Sequence, residues 1–90
     1  MRNQVNSVFS GIFKIADESA ATLTAYVLSD TDAVIATKTV NKREGGYLFS
    51  HVFVDVGIHT IKVVDSNTVA HYATVDVYAE IAAQVWDEVL

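Results

Sequence analysis

Apolar and polar residues alternate with a period of two in the first part of this chain, and aromatic and β-branched runs follow. In residues 8–16, Phe9, Gly11, Phe13 and Ile15 fall on one face while Ser10 and Lys14 fall on the other, the pattern of a half-buried strand. Residues 22–29 repeat it, with Leu23, Ala25 and Val27 on one face and Thr22, Thr24 and Tyr26 on the other. Residues 33–40 carry β-branched side chains on both faces. The rest of the chain is organised around residues 45–64. There the pair Gly45-Gly46 launches the aromatic-rich run 47–54, Gly57 breaks it after Val56, and Ile58 to Val64 runs on in β-branched residues. This stretch reads as two strands joined by a tight connection. Asp65-Ser66-Asn67 is a short turn suited to a hairpin, and the sixth strand runs from Val69 to Val77 or Tyr78. Asp17-Glu18-Ser19 and Ser29-Asp30-Thr31-Asp32 read as turns, because their short polar side chains bond to their own backbone. The most polar stretch, residues 41–46, reads as a loop.

Strand starts recur about every 10–14 residues with turn signals between them, which predicts an all-β sandwich rather than βαβ units. The expected core is Phe13, Ile15, Leu23, Val27, Phe49, Ile61, Val63, Val75 and Val77. A helical pattern occurs once, at residues 79–90. Ile81, Ala82, Val85, Trp86 and Val89 make an apolar stripe, with Glu80, Gln84, Asp87 and Glu88 on the other side. The expected organisation is therefore a β-domain over residues 1–78 and an amphipathic helix over 79–90. Twelve residues make a marginal helix in isolation, so this one needs something to pack on. It either folds back over the open end of its own sandwich or serves as an assembly tail, presenting Ile81, Val85, Trp86 and Val89 to a neighbour.

Two segments have a familiar form. Gly46-Tyr47-x-Phe49, followed by Gly57-x-His59-x-Ile61-x-Val63, resembles the central hairpin of small immunoglobulin-like and carboxypeptidase-regulatory-like β-sandwiches, with His59 where those domains usually carry tyrosine. Glu80-Ile81-Ala82-Ala83-Gln84-Val85-Trp86-Asp87 resembles the Ile-Ala-x-x-Val-Trp-Asp helix that follows β-rich modules in structural proteins of tailed bacteriophages. Together they imply an Ig-like antiparallel β-sandwich of six or seven strands with a short C-terminal helix. They also imply a virion component: a head decoration, collar or tail accessory protein.

Composition narrows the remaining classes. Ninety residues make one domain, and 51% hydrophobic against 19% charged residues places it among folded chains. Without cysteine there is neither a disulfide framework nor a thiolate metal site. A net charge of −5 with scattered cations argues against a nucleic-acid partner. No apolar run approaches the roughly 20 residues that span a bilayer, and no secretion signal is visible, so the expected location is the virion, or the cytoplasm as synthesised. The absence of proline removes one device that blunts edge strands, so the edges are expected to be covered by a neighbour or by the tail.

Candidate chemistry is sparse. His51, His59 and His71 have no spacing that demands a metal. Asp30 and Asp32, with Asp55 or Asp65, lack the glycine and terminal glutamate of a calcium loop. There is no Gly-x-Ser-x-Gly elbow and no phosphate-binding loop. Tyr26, Tyr47, Tyr72 and Tyr78 suggest a sugar-stacking platform, with Tyr72 and Tyr78 on one face of a single strand. The expectation is a non-enzymatic structural or assembly protein without cofactor or metal, partnered by copies of itself or by other virion proteins. The alternative is a glycan- or receptor-binding β-sandwich.

Overall fold

The computed structural model describes residues 1–79. The chain is all-β. Seven strands, β1 (Arg2–Gln4), β2 (Val8–Phe13), β3 (Thr22–Leu28), β4 (Val34–Arg43), β5 (Gly46–Val52), β6 (Gly57–Val64) and β7 (Ala70–Tyr78), form one sheet in the order β1-β7-β6-β3-β4-β5-β2. All pairings are antiparallel except β1 with β7. The two ends of this order, β1 and β2, are consecutive in the chain, so the sheet curls until it is nearly barrel-shaped. Val5 N donates to Tyr78 O and Asn6 N to Phe53 O, both at 2.8 Å. Adjacent residues thus tie the two sides of the gap.

Alternation decides what faces inward. Phe9, Leu23, Ala25, Val27, Val40, Tyr47, Phe49, Phe53, Ile61, Val63, Val75 and Val77 form the core. Phe13 and Ile15, expected within it, are half-buried against its margin. Aromatic side chains fill the side beneath β2 and β5. Phe49 meets Phe9 at 6.1 Å and Phe13 at 6.3 Å between ring centroids, in tilted and edge-on arrangements that suit ring quadrupoles.

Three expectations need correction. β5 and β6, read as two strands of a hairpin, do not pair: β5 lies between β4 and β2, and β6 between β3 and β7. Their connection holds Phe53, 1% exposed and packed on Phe9, His51 and His59. An anchored aromatic carries the chain across the core where a tight turn would reverse it. Asn41, Lys42 and Arg43, read as loop, are strand. The ten-residue β4 pairs with β3 along most of its length and with β5 through these three residues. Their side chains are exposed and polar while their backbone completes the ladder, so polarity marked the outer face and not a break. The third, β1, carried no hydrophobic signal because its three residues, Arg-Asn-Gln, are polar. The helix expected over 79–90, with Ile81, Val85, Trp86 and Val89, lies outside the described residues.

Candidate functional site

The strands run between two ends of the molecule, and each end has its own chemistry. At one end lie the finish of β2, the β4–β5 turn and the β6–β7 turn. Arg43 pairs with Gly46 across the two-residue turn Glu44-Gly45. Gly46 adopts φ +144°, and a Cβ there would lie 2.3 Å from the carbonyl oxygen of Phe13. Glycine thus lets β5 start hard against the end of β2. The next residue, Tyr47, sends its ring into the core and its hydroxyl to the carbonyl oxygen of Ala20. Burial, with Glu18 nearby, pushes the Tyr47 phenol above its ordinary pKa.

The 14–21 segment closes this end. The Glu18 carboxylate accepts from Ser66 Oγ at 2.6 Å, from the Ser66 backbone N at 2.8 Å and from the Ala20 N at 3.0 Å. The Ser66 bonds, chiefly that of its hydroxyl, hold the carboxyl below the usual glutamate range. Lys42 Nζ donates to the Glu18 carbonyl at 2.9 Å. The polar turn at 17–19 is a clamp between the β2–β3 connection and the β6–β7 turn; nothing local in Asp-Glu-Ser signals a partner 48 residues away. Between the clamp and the β4–β5 turn lies an open groove of about 480 Å³. Ile15 and Ala16 line it together with Lys14, Lys42 and Arg43, three of the chain's six cations.

The opposite end, where β7 finishes, is acidic. Asp30, in the β3–β4 turn, and Asp55, before β6, border a cleft of about 190 Å³ with Ser29, Gly57 and His59. Ser29 organises its turn: its Oγ accepts from Thr31 N and Ala33 N, each at 3.3 Å. Asp32 takes φ +64° at the turn's end.

The histidines occupy three separate settings. His59 is buried, with Nδ1 3.1 Å from the Gly57 carbonyl oxygen. His51 stands edge-on to Phe53 at 4.8 Å. Partial burial, with Lys38 and His59 as lesser causes, holds its imidazole below the ordinary histidine pKa. His71 Nε2 meets Asp65 Oδ2 at 2.9 Å, and the other oxygen of Asp65 accepts from Asn67 N and Val69 N. The His71 bond leads these in holding the Asp65 carboxyl below its usual range. Among the described residues no group of three metal-ligating side chains comes together, and no helix is long and apolar enough to cross a membrane.

Of the four tyrosines, Tyr47 is 1% exposed and leaves the platform. Register places Tyr72, Lys62, Tyr26 and Thr37 in one row across β7, β6, β3 and β4. Tyr78 lies four residues beyond Thr74 on the same face of β7, under the Arg2 guanidinium at 4.5 Å. The outer face of the β2–β5 pair is different. Val8 opposes Val52 and Ile12 opposes Leu48, with Ser10 and Ser50 bonded between them at 2.9 Å. Val8, Ile12 and Val52 are 66%, 46% and 41% exposed, so this face is apolar, uncharged and open. Searches of protein-family models, of curated proteins and of solved structures find no match to this chain.

Proposed function

We propose that this chain is a non-enzymatic structural module that works by assembly, an Ig-like β-sandwich with a C-terminal helical tail, acting as a bacteriophage virion component of the decoration, collar or tail-accessory kind. One observation carries the assembly reading: large apolar side chains stand outside the core in number. Val8, Ile12 and Val52 cover the outer face of β2 and β5, and Val54, Val56 and Ile58 follow at the acidic end, all more than 40% exposed. Contiguous exposed apolar surface marks interaction sites, and β2 and β1 end the sheet order, each with one side that pairs with no further strand among the described residues. Residues 79–90 would add Ile81, Val85, Trp86 and Val89 to that surface. The strand order supports the Ig-like reading. The run β7-β6-β3-β4 matches the larger sheet of a variable-type domain, the β2–β5 pair matches its partner sheet, and a first strand lies parallel to the last. The virion assignment rests on the resemblance of the 81–87 segment.

The test is hydrodynamic. The full chain is expected to self-associate with rising concentration in sedimentation velocity, and a chain ending at Tyr78 is expected to stay folded, with a β-rich circular dichroism spectrum, and monomeric. A strictly monomeric full chain whose truncated form unfolds would assign the tail to the core and end the assembly reading. A second reading, glycan binding, draws on the row Tyr72–Lys62–Tyr26. It predicts binding to an oligosaccharide array that Tyr72→Ala abolishes.

A further inference from the structure

We propose that the basic groove beside the β4–β5 turn is the docking site for residues 80–90 of a second copy of this chain, joining copies head to tail. The inference rests on the reading of residues 79–90 as the assembly element, and it identifies what that element binds. β7 delivers the chain to the end that carries Asp30 and Asp55, with Gly57 opposite Val77. The groove of Lys14, Lys42 and Arg43 lies at the other end, where Val64 pairs with Ala70 and the Ser66 turn meets Glu18. The nine residues of β7 measure about 30 Å at a strand's rise of about 3.3 Å per residue, whereas a helix over 80–90 spans only about 16 Å. In the helical form proposed for it, the tail is too short to return to its own groove, so the groove's occupant comes from another copy.

The tail and the groove are complementary in charge and polarity. The segment carries Glu80, Asp87 and Glu88 and no cation, beside the apolar Ile81, Val85, Trp86 and Val89. The groove offers the inverse set: Ile15 and Ala16 as apolar surface, with the aliphatic stems of its lysines, and Lys14, Lys42 and Arg43 as cations. Glu18, the acidic group lining it, has its carboxylate engaged by Ser66 and Ala20. At about 480 Å³ the groove falls within the range of roughly 300–1,000 Å³ in which concave sites bind compact ligands, enough for an anchor such as Trp86 flanked by acidic side chains. Joining unlike ends makes the contact heterologous, so copies close into a ring or extend as a filament, and either suits a particle component.

Charge reversal on both sides tests this. A groove variant, Lys14→Glu with Arg43→Glu, has an acidic groove and an acidic tail. A tail variant, Asp87→Lys with Glu88→Lys, has a basic groove and a basic tail. In sedimentation velocity each variant alone is expected to lose self-association by at least about tenfold in Kd, and a mixture of the two to recover it, since each groove then meets a tail of opposite charge. The tail variant leaves residues 1–79 untouched, so its loss of association stands as a reading even if the groove variant folds poorly by circular dichroism. Association that survives in the tail variant, or a mixture that fails to assemble from two folded variants, overturns the groove as the site. If removal of residues 79–90 still abolishes association in that case, the tail remains the assembly element and docks elsewhere. A wild-type chain that stays monomeric overturns both.

Discussion

At the residue scale, Gly46 and Tyr47 show how two adjacent positions can serve one junction by different means. Gly46 permits a close backbone approach, and Tyr47 fastens the same end to Ala20 from within the core. Gly46→Ala would push a methyl to 2.3 Å from a backbone oxygen that cannot yield like a flexible side chain, at a φ of +144°. Backbone strain and overpacking together put the expected loss at about 2–5 kcal/mol, readable as a lowered urea midpoint. Gly45→Ala meets nothing within 4 Å and carries only the cost of its positive φ, so it should be the milder of the two. Equal losses would mean that the contact with Phe13 is not what selects glycine at position 46. The sequence made this region legible in part. Gly-Tyr-x-Phe announced a strand start and placed Phe49 in the core. The reason for Gly46 lay 33 positions away at Phe13, beyond any local pattern.

At the scale of elements, alternation together with runs of aromatic and β-branched residues located six of the seven strands. Prediction failed where an element is defined by backbone pairing alone: β1, made of polar residues, and the last three residues of β4. Connections were the least legible. Phe53 looked like the continuation of a strand and is an anchor between strands that do not pair, and Glu18 looked like turn chemistry and is a clamp. Glu18→Ala removes the acceptor for the backbone N of Ser66 and of Ala20. The expected result is faster hydrogen exchange at the Ser66 amide and a melting temperature lower by a few degrees, with exchange at Val63 and Val75 in the core strands little changed. Unaltered protection at Ser66 would show that the β6–β7 turn holds itself, through Asp65 and its bonds to Asn67 and Val69, without the clamp.

At the scale of the whole molecule, the candidate site was the part least visible in the sequence. Lys14 and the pair Lys42-Arg43 are 28 positions apart and look scattered, and only the pairing of β5 with both β4 and β2 brings them to one groove, at the end opposite the finish of β7. The same folding sets how stability depends on pH. His51 is held neutral by partial burial, so its folded pKa lies below that of the unfolded chain, which is near the ordinary value of about 6.5. The unfolded state then binds the proton first, and stability falls as pH drops below about 6.5, levelling once the folded state is protonated as well. Glu18 and Asp65 act in the same direction at lower pH. Their folded pKa values are depressed by Ser66 and His71, so their stabilisation is complete above about pH 5 and is lost as pH falls through those values. Melting temperature followed from pH 8 to pH 3 is therefore expected to fall in two stages, the first near pH 6 and the second below pH 4. His51→Gln should abolish the first stage and leave the second, because the Glu18 clamp and the Asp65 turn lie at the other end of the strands from Phe53 and its neighbour His51. A first stage that persists in His51→Gln would assign it to another group. A curve flat from pH 8 to pH 5 in the wild type would show that His51 titrates alike in the folded and unfolded chain, and that the margin of the core around Phe53 is open to water.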